Sequence, residues 1–298
     1  MNVHHFRHFI AVAEELHFGR AAHRLNIEQA PLSQSIRRLE SALEVTLFDR
    51  SRRSGTRLTP AGHAFLDEAR KALAQFDRAV SLARRAGGAT LPVKVGFVTA
   101  ATFDLLPSAI RDFKSIYPDA TLQLRESSTT ELLDAVANDQ VDLALVHPVK
   151  IVPPGLSVEH VRSDKTVIAL PADHRLARRK ALSMDDLAGT PLIFFPRSAS
   201  PDLHQRFMEF FRSQGVEPRI EQEARLTPTI LSLVGAGLGY ALIQGSAKSV
   251  PFANVAFRPL SGAPDELDWR LSIVWKPDVA TSLAKALHMI LRQTGPRT

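Results

Sequence analysis

The sequence predicts an α/β protein in two parts: an N-terminal winged helix-turn-helix, then a larger two-lobed, doubly wound α/β domain, with one long helix between them. Three observations predict it. Helical periodicity fills the first 43 residues and gives way to a basic hairpin; an apolar seam runs unbroken from Gly62 to Ala83; and strand-like and helix-like segments alternate from residue 93 onward.

Phe6, Phe9, Ile10, Ala13 and Leu16 recur at helical spacing, the pattern repeats over 18–25, and Leu32, Ile36, Leu39 and Leu43 repeat it again. Residues 47–59, LFDRSRRSGTRLT, start apolar, turn through basic residues near Gly55 and return to Leu58, as a two-stranded wing does. Thr59 is an N-cap candidate, and the missing N–H of Pro60 costs nothing at a first helical position, so a long helix starts here. Along it Gly62, Leu66, Ala69, Leu73, Phe76, Val80 and Ala83 step alternately by 4 and 3, a heptad seam that needs a partner. A second copy of the helix is the expected partner, with Leu66, Ala69, Leu73, Phe76 and Val80 as dimerisation residues; packing on the chain's own first domain is the alternative. Arg84, Arg85, Gly87 and Gly88 end the helix and supply a joint.

Beyond the joint, strands are expected at 93–98, 121–124 and 141–146, with helices at 103–117 and 130–138 between them. The pattern restarts after residue 161, with strands at 166–170, 192–195, 220–224 and 240–244 around helices at 201–214 and 227–235. A strand at 269–275 and a terminal helix at 279–293 return to the first lobe. The expected domains are 1–60, a linker and dimerisation helix at 61–88, and 89–298, the last divided into lobe I (89–161 and 268–298) and lobe II (162–267).

At 298 residues the chain suits a small domain plus one of about two hundred. Apolar content of 45% and charged content of 23% are those of a soluble globular protein, and no apolar run approaches the roughly 18 residues of a membrane span. Absence of Cys excludes disulfides, and MNVHHFRHF does not read as a secretory signal, so a cytoplasmic location is expected. Of the net charge of +6, residues 1–90 carry five (14 Lys and Arg against 9 Asp and Glu), which suits a polyanion-binding module joined to a near-neutral domain.

A helix that reads duplex DNA needs polar side chains on the face toward the major groove and an apolar face anchored in a core. Segment 29–42 has both: Leu32, Ile36 and Leu39 lie inward, while Gln29, Ser33, Gln34, Arg37 and Arg38 lie opposite. Gln pairs with adenine, Arg with guanine, and Ser with helix N-terminal amides suits phosphate. Pro31 falls in the first turn, where no ladder bond is lost. The wing adds Arg50, Arg52, Arg53 and Arg57 for the backbone or minor groove.

The runs AVAEELHFGRAAHRL, LSQSIRRLE, LFDR and LTPAG, at their spacing here, closely resemble the N-terminal domain of LysR-type transcriptional regulators; the likeness is specific over the first sixty-odd residues and architectural beyond them, with pieces such as VGAGLGYALI. The resemblance implies sequence-specific binding of double-stranded DNA through Gln29, Ala30, Ser33, Gln34 and Arg37 and through the wing at Arg52 and Arg53; the chain's own pattern adds Pro31 and Arg38. Glu28 stands where the family usually has Ser, and Ala30–Pro31 where it has Pro and a small residue. Glu28 can still cap, but it brings negative charge near phosphates.

The resemblance further implies an effector domain of periplasmic-binding-protein type, with a small organic, anionic effector between its lobes, assembly into a homodimer or homotetramer, and RNA polymerase as a candidate further partner. Strand ends and helix starts point to the same crevice: Thr99, Ala100 and Thr102, then Ser127, Ser128 and Thr129, then His147, Phe195, Arg197 and Thr227 are the expected effector contacts, with Arg197 as carboxylate partner. No cofactor or metal is expected. GAGLG at 235–239 follows a helix and reads as its stop, not as a dinucleotide loop, and His4, His5 and His8 lack acidic or Cys partners at ligand spacing. An enzyme or a plain solute-binding protein of the same lobed fold is the rival class; no nucleophile elbow, P-loop or carboxylate pair supports the first, and the basic first third argues against the second.

Overall fold

The computed structural model describes residues 1–50, 55–87, 91–278 and 280–295, and the chain divides into two compact units, Met1–Leu91 and Pro92–Thr298. In the first, helices α1 (Val3–Glu15), α2 (Phe18–Leu25) and α3 (Gln29–Leu43) precede a hairpin of β1 (Phe48–Asp49) and β2 (Arg57–Leu58), and α4 (Pro60–Ala86) follows. Leu16 and Asn26 end α1 and α2 in the left-handed conformation, which turns the chain sharply enough for three helices to share one core. That core is aromatic at its centre: Phe9 packs on Phe48 and Phe65 with ring centroids 5.3 and 5.0 Å apart.

Thr59 caps α4, its hydroxyl accepting from the Gly62 N–H at 2.9 Å while donating to the Thr46 carbonyl at 2.7 Å. The seam along α4 divides. Ala69 is fully buried in the core of its own unit and Leu66 packs partly buried against it, whereas Leu73 is half-buried and Phe76 and Val80 are exposed. Leu66 and Ala69 thus pack within their own unit, whereas Phe76 and Val80 turn to solvent. Gly62 is likewise an intramolecular requirement, since a Cβ there would lie 2.2 Å from the Leu47 carbonyl oxygen.

In the second unit β3 (Val93–Phe97), a 3-10 turn at Thr99–Phe103, α5 (Leu105–Ile116), β4 (Leu122–Glu126), α6 (Thr129–Ala137), β5 (Leu143–Val146) and β6 (Ser157–Asp164) build lobe I. Lobe II follows with β7 (Thr166–Pro171), β8 (Leu192–Phe194), α7 (Pro201–Ser213), β9 (Ile220–Glu223), α8 (Thr227–Gly235), β10 (Ala241–Gln244) and β11 (Val255–Pro259). Then β12 (Trp269–Trp275) and α9 (Ser282–Thr294) return to lobe I, with one face of α9, Ala284, Leu287, Ile290 and Leu291, in its core. The first sheet runs β4-β3-β5-β12-β6: β3 is parallel to β4 and β5, and the returning β12 is antiparallel to β5 and β6. In lobe II β8 and β9 are parallel, β10-β7-β11 is antiparallel, and a bridge from Leu192 to Tyr240 links the two sets.

The doubly wound pattern therefore holds in mixed sheets, with two strands, β6 and β11, that the sequence did not reveal. Both are edge strands of half-exposed residues, without the buried apolar run that marks a central strand. β6 also keeps the chain in the first sheet to Asp164, beyond residue 161. The expected helix over 103–117 splits at Asp104 into the 3-10 turn and α5. GAGLG ends α8, with Gly237 at φ +86°.

Gly62→Ala should lower the stability of the first unit by about 1–3 kcal/mol, the usual cost of forcing an extra group into a packed site. Chemical denaturation followed by helix content would detect it, and a neutral substitution would contradict the close approach of α4 to Leu47.

Candidate functional site

On α3, Leu32, Ile36 and Leu39 are wholly buried, which turns Gln29, Ala30, Pro31, Gln34, Arg37 and Arg38 to solvent and leaves Ser33 half-buried. Arg37 and Arg38 have no ion-pair partner among the described residues. By contrast Arg20 and Arg24 pair with Glu15 and Glu14, and Arg70 with Glu14, tying α2 and α4 to α1. The exposed face of α3 thus carries two cations that no carboxylate among the described residues neutralises. The inner side of α3 is braced by His8, whose Nδ1 lies 2.7 Å from Ser35 Oγ.

Glu40 departs from the outward polar face. Its carboxylate accepts from the backbone N–H groups of Leu47 and Phe48 at 2.9 and 3.2 Å and pairs with Arg50 at 2.7 Å, clamping α3 to the base of the wing. Arg50 also lies 5.1 Å over the Phe18 ring, so it is a structural cation and not a free wing contact. Arg57 is exposed on β2, while Arg52 and Arg53 lie outside the described residues. Glu28 occupies the N-cap position of α3 without a side-chain capping bond, which leaves the first-turn amides free of it.

In the second unit a cavity of about 450 Å³ lies at the ends of β3, β4, β5 and β8. The N-termini of α6, α7, α8 and the 3-10 turn converge on it, through Ser128, Ser200, Thr227 and Thr99. Thr99, Ala100, Ser127, Ser128, His147, Phe195 and Thr227, all expected from the sequence, are in its wall. Thr102, Thr129 and Arg197 are not. Thr102 Oγ1 donates to the Thr99 carbonyl at 2.7 Å, Thr129 is buried with its hydroxyl accepting from the His147 N–H at 3.3 Å, and Arg197 is exposed.

The wall includes groups the sequence did not single out: Ser200, Leu203, Arg225, Ile230 and Trp269, and the exposed carboxylates Glu126 and Glu131. Arg225, rather than Arg197, is the cation of the cavity. It pairs with Glu131 at 3.4 Å across the two lobes. Glu131 also accepts from Ser127 Oγ and from the N–H of Ser128; these bonds and Arg225 outweigh the cost of its partial burial and bring its pKa down to about 2. Ser200 Oγ and the indole Nε1 of Trp269 are buried without a hydrogen-bond partner among the described residues. His147 is buried against Trp269, centroids 5.4 Å apart, and burial lowers its pKa to about 4. Its Nδ1 lies 3.3 Å from the Arg270 carbonyl oxygen, which only accepts, so Nδ1 carries the proton and Nε2 is left as an acceptor.

Residues 3–63 match the model of bacterial regulatory helix-turn-helix proteins of the lysR family, and residues 86–296 match that of the LysR substrate binding domain. The chain belongs to the LysR family of transcriptional regulators. It is 36% identical over 270 residues to the HTH-type transcriptional regulator AlsR of Bacillus subtilis, covering 90% of this chain and 89% of AlsR. Full-length crystal structures similar to it include that of BenM, 30% identical with 100% of each chain covered and a TM-score of 0.60. That of CbnR, 23% identical with the same coverage and a TM-score of 0.76, shares the fold.

This LysR-type protein is a DNA-binding regulator with an effector-binding domain, and not an enzyme. Among the described residues no helix is long and apolar enough to cross a membrane, and no group of three or more His, Asp or Glu is placed to hold a metal ion. His5 serves instead in the capping box of α1, its ring accepting from the Asn2 N–H at 3.0 Å.

The sign of the His147 shift sets an acid response. An unfolded histidine takes its proton near pH 6.5 and the buried one near 4, so the stability His147 supports is complete above pH 6.5 and falls as pH drops toward 4. The slope from this group is about 1.4 kcal/mol per pH unit within that window. Denaturation series at pH 7, 6 and 5 should show a steeper loss for the parent chain than for His147→Gln; equal slopes would mean that His147 is not held neutral.

Proposed function

We propose that this regulator reads DNA through the outward face of α3 and responds to a small organic acid bound between the lobes of its second unit. The observation that carries the DNA assignment is the pair of unneutralised arginines beside Gln34 on a helix whose other face is fully buried. Gln29, Gln34 and Arg37 are the proposed base readers, with Ser33, Arg38 and the first-turn amides holding phosphate; Arg52 and Arg53 are proposed as further contacts on their sequence alone.

The effector assignment is carried by the convergence of helix N-termini on a cavity with buried donors at Ser200 and Trp269 that have no partner among the described residues. The proposed effector sets its carboxylate or other acceptor toward Ser200 and Thr227 and an aromatic or apolar body against Phe195, Trp269 and Ile230. Glu126 and Glu131 line the same cavity with the opposite preference; Arg225 offsets the charge of Glu131, and the acceptor of the effector is set away from both carboxylates, at the N-termini of α7 and α8. BenM, whose effector is benzoate, supports the choice of an aromatic acid.

Binding would favour the closed arrangement of the lobes, which Glu131–Arg225 and the Thr129 N–H to Ala199 carbonyl bond already join. The exposed end of the seam, Phe76 and Val80 with Leu73, is the proposed contact with a second copy in a dimer or tetramer. The cytoplasm as its location and RNA polymerase as a partner belong to the same proposal.

Selection of bound duplexes from a random pool should show Gln34→Ala losing about 1–3 kcal/mol of discrimination at one base pair. Arg38→Ala should instead weaken all sequences alike and reduce the salt slope by about 1. Identical effects from both changes would end the division of roles. For the effector, a thermal-shift series with benzoate and other small organic acids should raise the melting temperature saturably. Ser200→Ala should weaken that ligand about 2- to 12-fold, one hydrogen bond's worth; a ligand bound equally well by the variant would refute the proposed pose.

A further inference from the structure

Lobe II holds a second cavity, of about 120 Å³, at the other end of β8 from the effector cleft. Leu170, Leu176 and Leu187 form its apolar wall, and Thr190, His174 and Tyr240 bring polar groups to it. The chain makes room by close backbone approach: Gly239 sits at φ +154° where a Cβ would lie 2.2 Å from the Pro191 carbonyl oxygen.

Two donors here are unspent. Tyr240 is at 2% relative exposure, and its hydroxyl, which has no hydrogen-bond partner among the described residues, keeps its small remaining access to solvent at the cavity and stands there as a free donor. His174 accepts from the Leu176 N–H through Nδ1 at 3.2 Å, which puts its own proton on Nε2, and that N–H has no partner among the described residues either. An apolar wall with a few polar groups is the usual make-up of a small-molecule site. Its volume, somewhat under the roughly 150 Å³ of an apolar cavity that accepts benzene, limits an occupant to one small ring.

We propose that this cavity is a second ligand site, separate from the effector cleft, for a small uncharged ring compound bearing one hydroxyl or carbonyl oxygen, held by the Tyr240 hydroxyl and the His174 Nε2–H. The absence of Lys or Arg from the wall is what selects an uncharged occupant over a carboxylate.

Phenol is the probe. Calorimetric titration of the full chain should give saturable binding, with a Kd at least fivefold weaker in Tyr240→Phe, which keeps the ring and removes only the donor. Crystals of the unsubstituted chain soaked in phenol locate the site independently of any variant, and should place the ring against Leu170, Leu176 and Leu187 within hydrogen-bond reach of Tyr240 Oη. Unchanged affinity in Tyr240→Phe, or phenol found only in the cleft beside Ser200, would overturn the proposal while leaving the effector assignment standing.

Discussion

Everything the first unit presents outward depends on three side chains turned inward. Leu32, Ile36 and Leu39 of α3 are excluded from solvent entirely, and a helix advances about 100° per residue, so their burial fixes its rotation. Turning α3 by one position would take Arg37 into an apolar core, a far larger cost than any local preference of the helix can offset. Gln34, Arg37 and Arg38 are exposed because their neighbours cannot be. Glu40 then fixes the end of the helix, its carboxylate satisfying the amides of Leu47 and Phe48 and drawing in Arg50. Reading surface and wing base are therefore one rigid piece.

The second unit works with a different economy of charge. Its cleft has one arginine, Arg225, already engaged with Glu131, and a histidine that burial keeps neutral. What attracts an acceptor is the field of helix N-termini together with neutral hydroxyl and indole donors. In the proposed function such donors gain most from a ligand that reaches them, and that gain is what would link occupancy to closure of the lobes.

Much of this was legible in the sequence, for reasons that differ from residue to residue. The α3 stripe and the Thr59 cap follow from local rules, periodicity and an orphan amide, and local rules act wherever the residues stand. The hydroxyls at 99, 127, 128 and 227 were found because strand ends and helix starts meet there. Arg225 was not, since nothing local separates an arginine before α8 from Arg197 after β8; only the packing of two lobes brings one to the cavity and leaves the other in solvent. Leu66 and Ala69 fit a heptad seam equally well whether the partner is a second helix or the chain's own core. The strands β6 and β11 lack the apolar run of a central strand, although the long featureless gaps at 147–165 and 245–268 were themselves a sign that structure was hidden there.

The chain contains no Cys, so one introduced thiol can report on the reading face directly. Gln34→Cys, with Gln205→Cys on α7 as an exposed reference, can be alkylated with and without saturating duplex DNA at low salt, where non-specific contacts suffice for binding. DNA should slow alkylation at position 34 at least tenfold and leave position 205 unaffected. Equal rates at position 34 with the duplex bound would show that α3 does not face the DNA.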